Sequence, residues 1–188
     1  LLLIVDDYWQ ALSTQPPPDF RLLYNEWLYC TATSKFLGSD LRLAAAAGNG
    51  STIRAMKHRF SLGPRWISGL LQYLVSQAWQ DMLRHQSLPA VAAEYAARRH
   101  ALISALQQRE VAVNPHGEGL HVWIPVQDET FAMQILAANG WAVQAGKAFS
   151  PGKQSAIRVS LSNLPLTDTE RLANDIAAIW AGSTRAWY

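Results

Sequence analysis

The stretch Thr33-Ser34-Lys35-Phe36-Leu37-Gly38-Ser39-Asp40-Leu41-Arg42-Leu43 decides how the rest of the chain is read. It follows Trp27–Ala32, a β-favouring apolar run that predicts a strand. Lys35 therefore stands just past the end of a strand, among small hydroxyl residues. At such an edge a lysine is expected to be partly desolvated, which lowers its pKa and makes it nucleophilic. Arg42 lies seven residues further on, beyond Gly38 and Ser39. A turn of that length returns its guanidinium towards the lysine.

Upstream, Leu1-Leu2-Leu3-Ile4-Val5 is a continuous apolar run. It reads as a strand buried on both faces, as in a parallel sheet. A strand of that kind needs neighbours on each side, so the natural protein is expected to continue upstream. Asp6, Asp7 and Tyr8 follow at its carboxyl end, the edge where open α/β sheets place their ligands. An amine for an aldehyde and a guanidinium for a phosphate suit pyridoxal 5'-phosphate (PLP). Asp6 supplies a carboxylate for the pyridine nitrogen, and Tyr8 a phenol for the ring oxygen.

Downstream, residues 13–19 (Ser-Thr-Gln-Pro-Pro-Pro-Asp) read as a loop, and Leu41–Ala47 as a third strand closed by the turn Gly48-Asn49-Gly50. Ser51 is expected to cap a short basic helix. From Arg65 the spacing of Leu70, Leu71, Leu74, Val75, Ala78 and Met82 is helical; Pro89 is expected to interrupt it, and a second helix to run to about Glu110. Leu120–Ile124 reads as a strand. Asp128 caps a helix ending at Gly140, with Phe131, Ile135 and Leu136 on its apolar face. Trp141–Gln144 reads as a short strand. Ile157, Val159 and Leu161 alternate with Arg158, Ser160 and Ser162, which gives a strand with one apolar and one polar face. Thr167 and Glu170 make a capping box for a last helix, with Leu172, Ile176 and Ile179 facing inward. The division expected is 1–64, 65–110 for connecting helices, and 111–188 for a small α+β domain.

Composition narrows the classes. The 188 residues are about half apolar and 16% charged, which suits a packed core and argues against disorder. A net charge of +2 does not by itself make a nucleic-acid surface. One cysteine, Cys30, excludes an internal disulfide and reads as a buried, inert thiol in a reducing cytoplasm. No run reaches the ~20 apolar residues of a membrane span. The five histidines lack the spacing of metal ligands, so no metal is expected. Arg54, Lys57, His58, Arg59 and Arg65 read as a solvated helix face. Gly48-Asn49-Gly50-Ser51 reads as a plain turn, and Trp9 as a residue lining the pocket.

Val5-Asp6-Asp7-Tyr8 followed by the Ser34-Lys35 and Arg42 spacing resembles fold type I aminotransferases of class I/II. The closer resemblance is to the effector domain of MocR-type regulators of the GntR family, with their Asp-Asp-Tyr motif and an arginine seven residues past the lysine. Gly119–Pro125 resembles the opening of that family's small domain, and Ala156–Ser162 its C-terminal strand. The resemblance covers nearly the whole chain. It implies an α/β PLP-dependent transferase fold of type I: the C-terminal part of the large domain plus an α+β small domain. It implies that Lys35 forms an internal aldimine, that Asp6 pairs with the pyridine nitrogen and Tyr8 with the ring hydroxyl, that Arg42 binds the phosphate with help from Ser34 or Thr33, and that Arg158 binds a ligand carboxylate.

The chain departs from the family at Ala32, where a Ser or Thr is usual, at Gly38-Ser39, where a proline is common, and at Gly117-Glu118-Gly119, where the family has Gly-Gly. These departures suit a sensor better than a catalyst. The resemblance thus implies a cytoplasmic, homodimeric effector domain that senses PLP or an amino-acid-like ligand, in vitamin B6 metabolism, with a DNA-binding winged helix upstream. The alternatives are a true aminotransferase, in which Lys35 is the general base of the 1,3-proton shift, and a PLP-free dimerisation domain.

Overall fold

A computed structural model describes residues 1–13, 15, 16, 19, 24–150 and 154–185. Thr14, Pro17 and Pro18 of the expected 13–19 loop lie outside the described residues. The chain divides into two compact units, Leu1–Ala92 and Ala93–Tyr188.

The first unit holds a three-stranded sheet of order β1 (Leu2–Asp6), β2 (Glu26–Ala32), β3 (Ala44–Gly48). β1 and β2 are parallel, with Leu2 opposite Glu26 and Asp6 opposite Cys30. β2 and β3 are antiparallel, with Ala32 opposite Ala44 and Leu28 opposite Gly48. At Gly48 a Cβ would stand 2.7 Å from the Trp27 carbonyl oxygen, so the strand needs glycine there. The helix α1 (Gly50–Leu62) follows. Its entry is organised by Asn49, not by Ser51 as expected. The Asn49 side-chain oxygen accepts from the Trp27 amide at 3.1 Å and from the Thr52 hydroxyl at 2.6 Å.

Burial of the first strand is not as expected. Leu1 is 98% exposed, Leu2 45% and Ile4 59%, while Leu3 and Val5 are half-buried. β1 forms the edge of the sheet, and no described element covers the face that carries Leu2, Ile4 and Asp6. A run of five β-favouring apolar residues specifies a strand, but its burial requires layers on both sides.

The helices α2 (Gly69–Arg84) and α3 (Ser87–Gln107) follow. The break between them falls at His85–Gln86, where Gln86 adopts φ 51°. Pro89 does not interrupt. It sits in the first turn of α3, where no backbone N–H is needed.

The second unit packs α4 (Glu129–Ala138) and α5 (Thr169–Arg185), with the end of α3, around an antiparallel sheet of order β4 (His121–Pro125), β6 (Ala156–Ser160), β5 (Gln144–Ala145). Its core joins Leu102, Leu106, Val122, Ile124, Leu136, Ile157, Leu161, Leu172 and Ile176. The alternation along β6 holds: Ile157, Val159 and Leu161 are buried. Asp128 caps α4 by accepting from the Thr130 and Phe131 amides at 2.8 and 3.0 Å.

Three details differ from expectation. The buried stripe of α4 is Glu129, Ala132 and Leu136, while Phe131 and Ile135 are exposed. The Glu129 carboxylate turns inward because it accepts from the Lys147 and Ala156 amides at 3.0 and 2.9 Å. Helix α5 begins at Thr169 after a 3-10 turn over Leu166–Asp168, so Thr167 makes no capping box. Glu170 pairs instead with Arg109 at 2.6 Å. The strand after α4 is only Gln144–Ala145; Trp141 lies outside it and donates to Asp175 at 2.6 Å.

Leu136→Ala is expected to destabilise the chain by about 2–5 kcal/mol in urea unfolding. Phe131→Ala should stay within about 0.5 kcal/mol of the parent, as surface changes do. Equal losses would contradict the assigned face of α4.

Candidate cofactor site

Because β1 and β2 run parallel, their carboxyl ends lie at one edge of the sheet. Because β3 is antiparallel, its amino end comes to the same edge, Ala44 standing opposite Ala32. The segments Asp6–Tyr8, Thr33–Lys35 and Arg42–Leu43 are therefore gathered there. They are far apart in sequence, and only the strand order brings them together.

The two aspartates divide their roles. Asp7 continues the ladder, its amide donating to the Cys30 carbonyl at 2.8 Å. One of its carboxylate oxygens accepts from the Trp9 and Gln10 amides at 3.1 and 2.9 Å, and the other accepts from the Tyr29 hydroxyl at 3.4 Å. Asp7 thus fixes the turn that carries Tyr8. Burial, and then the Asp7 charge and hydrogen bond, push the Tyr29 phenol above its usual pKa. Asp6 is exposed and has no hydrogen bond or ion pair to the described residues, which leaves its carboxylate open to a ligand. It is felt at Cys30, whose thiol is pushed up first by burial and then by the Asp6 charge.

Lys35 ends a 3-10 turn, Thr33–Lys35. Its ammonium lies 5.6 Å from the centre of the Tyr8 ring, within cation–π range. The side chain is exposed, so the desolvation expected of it is not supplied by the described residues. The next residue, Phe36, packs edge-on against Trp79 of α2 with ring centres 5.0 Å apart.

Thr33 is buried at 5% exposure. Its hydroxyl donates to the Leu41 and Leu43 carbonyls at 2.9 and 3.1 Å, and its amide donates to the Leu43 carbonyl at 3.1 Å. That hydroxyl is engaged inside the loop, which leaves Ser34 as the neighbouring hydroxyl. The loop turns at Gly38, whose φ of 125° suits glycine. Arg42 is exposed, and its amide donates to the Asp40 carbonyl at 2.9 Å.

In the second unit, Arg158 lies on the polar face of β6. Its guanidinium stacks 3.6 Å over the Phe149 ring and donates twice to the Gln144 side-chain oxygen, once at 3.1 Å from Nε and once from Nη2. The arginine was legible from strand alternation; Phe149 and Gln144, which hold it, were not. Asp7 and Thr33 were likewise missed as organising residues, since a short polar side chain beside a turn is common. Among the described residues no three His, Cys, Asp or Glu side chains group as a metal site.

Residues 1–176 match the model of the family "Aminotransferase class I and II". The chain belongs to this family. It is 35% identical over 179 residues to the vitamin B6 salvage pathway transcriptional repressor PtsJ of Salmonella typhimurium, covering 94% of this chain and 41% of that protein. The kynurenine aminotransferase of Pyrococcus horikoshii, solved with PMP, superposes with a TM-score of 0.82 at 18% identity, over 98% of this chain and 49% of that one. LysN of Thermus thermophilus, an α-aminoadipate aminotransferase solved with N-(5'-phosphopyridoxyl)-L-leucine, gives 0.79 at 18%, over 97% of this chain and 50% of that one. The chain thus spans about half the length, or less, of the proteins it matches. The fold is the α/β fold of type I, and the cofactor of the family is pyridoxal 5'-phosphate. The donor set at the sheet edge fits it: an open carboxylate on Asp6, the phenol of Tyr8, the amine of Lys35 and the guanidinium of Arg42.

Alkylation of Cys30 tests where the Asp6 carboxylate lies. The thiolate is the reactive form, so a raised pKa moves the pH–rate profile with iodoacetamide above that of a free thiol. Asp6→Asn removes the charge part of that rise and should shift the profile to lower pH. An unchanged profile would mean that the Asp6 carboxylate does not face Cys30.

Proposed function

We propose that this chain is the PLP-binding effector part of a MocR-type transcriptional regulator of the GntR family, acting in vitamin B6 metabolism. The observation that carries the reading is the gathering of Asp6, Tyr8, Lys35 and Arg42 at one sheet edge, in a chain 35% identical to a B6 salvage repressor. Residues 1–64 are the C-terminal part of the large domain, 65–110 the connecting helices and 111–188 the small domain.

When bound, PLP supplies an electrophilic aldehyde on an electron-withdrawing ring. The residues of this chain hold it. Lys35 provides the amine that attaches the aldehyde. Asp6, whose carboxylate is unpaired among the described residues, would hold a proton on the pyridine nitrogen, because a nearby negative charge favours the charged ring. Tyr8 hydrogen-bonds the ring oxygen. Arg42 would supply the guanidinium for the phosphate, with the Ser34 hydroxyl close by in sequence. Arg158, held flat on Phe149, presents its guanidinium to the carboxylate of an amino-acid-like ligand.

Sensing then requires that the ligand bind one conformation better than the other, and the shift cannot exceed that difference in affinity. DNA is reached through an upstream winged helix, and the protein is a cytoplasmic homodimer. Among the described residues no helix is long and apolar enough to cross a membrane.

The test is a PLP titration of the full-length protein beside Lys35→Ala, read by visible absorption and by retention of DNA fragments from the neighbourhood of vitamin B6 genes. A near-visible band in the wild type and none in the variant is expected, with the DNA midpoint moving about tenfold on PLP addition in the wild type alone. Steady conversion of an amino acid to its keto acid, with no effect on DNA retention, would favour an aminotransferase. No band would remove the reading.

A further inference from the structure

Thr33 stands in the middle of the Lys35–Arg42 segment, yet no ligand role falls to it. Its single hydroxyl proton is shared by the carbonyls of Leu41 and Leu43, at 2.9 and 3.1 Å. Those two residues flank Arg42 on either side. Thr33 also precedes Lys35 by two residues, at the start of the same 3-10 turn. One buried side chain therefore ties the turn that carries the amine to the backbone on both sides of the guanidinium.

We propose that Thr33 is a positioning residue that fixes Arg42 relative to Lys35, so that the amine and the guanidinium reach the aldehyde and the phosphate of one ligand together. The proposal rests on the reading that this edge binds PLP. Backbone bonding alone leaves the clamp incomplete. The Thr33 amide reaches only Leu43, and the Leu37 amide closes the turn on the Thr33 carbonyl at 2.9 Å. The Leu41 carbonyl is reached by the hydroxyl. Without it the described bonds of the segment before Arg42 are all local: the Leu41 amide to the Gly38 carbonyl at 3.2 Å, and the Arg42 and Leu43 amides to the Asp40 and Leu41 carbonyls, both at 2.9 Å. Gly38 is the most permissive residue of the loop, so slack introduced there moves Arg42 and not Lys35.

A loss of position at Arg42 has a chemical signature. Pyridoxal carries the aldehyde and the ring but no phosphate. A variant with a misplaced guanidinium should lose affinity for PLP and keep its affinity for pyridoxal. A variant that merely weakens the fold should lose both alike. Free pyridoxal cyclises to a hemiacetal, but that equilibrium is common to all variants and cancels in the comparison.

The experiment is equilibrium titration of the full-length protein with PLP and with pyridoxal, for wild type, Thr33→Val, Thr33→Ser, Arg42→Gln and the double variant Thr33→Val/Arg42→Gln. Thr33→Val is expected to lower the PLP-over-pyridoxal preference on the order of tenfold, and Thr33→Ser to keep it. Arg42→Gln should lower it at least as far, with no further loss in the double variant. If Thr33→Val does not fold, Thr33→Ala is judged by the same ratio. An unchanged preference in Thr33→Val, or a loss in Thr33→Ser as large as in Thr33→Val, overturns the role of Thr33 alone. Failure of the wild type to bind either compound overturns the underlying reading, and the proposal with it.

Discussion

Parallel pairing of β1 with β2, closed by an antiparallel β3, is the constraint on which the candidate site depends. A β-strand delivers its carboxyl end to one edge only, and the register Asp6–Cys30 and Ala32–Ala44 brings three distant segments to that edge. With β3 parallel instead, Arg42 would stand at the opposite edge, some five residues of strand away from the lysine. A one-residue slip of β1 against β2 would turn Asp6 to the other face. The chemistry proposed for the site follows from topology before any side-chain detail matters.

The two units differ in how they are held. The second has a continuous apolar core, in which β4 and β6 pack on α4 and α5, and its buried carboxylate, Glu129, is satisfied by two backbone amides. The first buries few side chains among its described residues: Leu12, Thr33, Val75 and Ala92. Its order comes from strand pairing and from local polar clamps at Asp7, Thr33 and Asn49. The clamps at Asp7 and Thr33 lie at the edge where a ligand would bind, and each leaves a nearby group available; the clamp at Asn49 lies at the opposite edge. Asp7 takes the turn's amides so that Asp6 stays open, and Thr33 takes the loop's carbonyls so that Ser34 stays available.

Much of this arrangement was legible in the sequence. The strand before Lys35, the alternation along Ile157–Ser162 and the Asp128 cap are local patterns, and local patterns survive folding. The family resemblance rested on short motifs and matched the comparisons. What was not legible depended on partners distant in sequence. The exposure of β1 follows from what lies against its faces, which a run of Leu and Ile does not encode. The inward turn of Glu129 depends on amides at Lys147 and Ala156, 18 and 27 residues away. Of the residues expected on the apolar face of α4, Leu136 is buried, whereas Phe131 and Ile135 give way to Glu129 and Ala132. Pro89 reads as a break because proline stops a helix interior, whereas the break at His85–Gln86 places it in a first turn.

The most direct test of the central claim is to fix the cofactor in place. The full-length protein is incubated with PLP, reduced with borohydride, digested and mapped by mass spectrometry. A phosphopyridoxyl mass increment on the peptide that carries Lys35, absent from Lys35→Ala, is the result this account predicts. An increment confined to other lysines, or none, would contradict it.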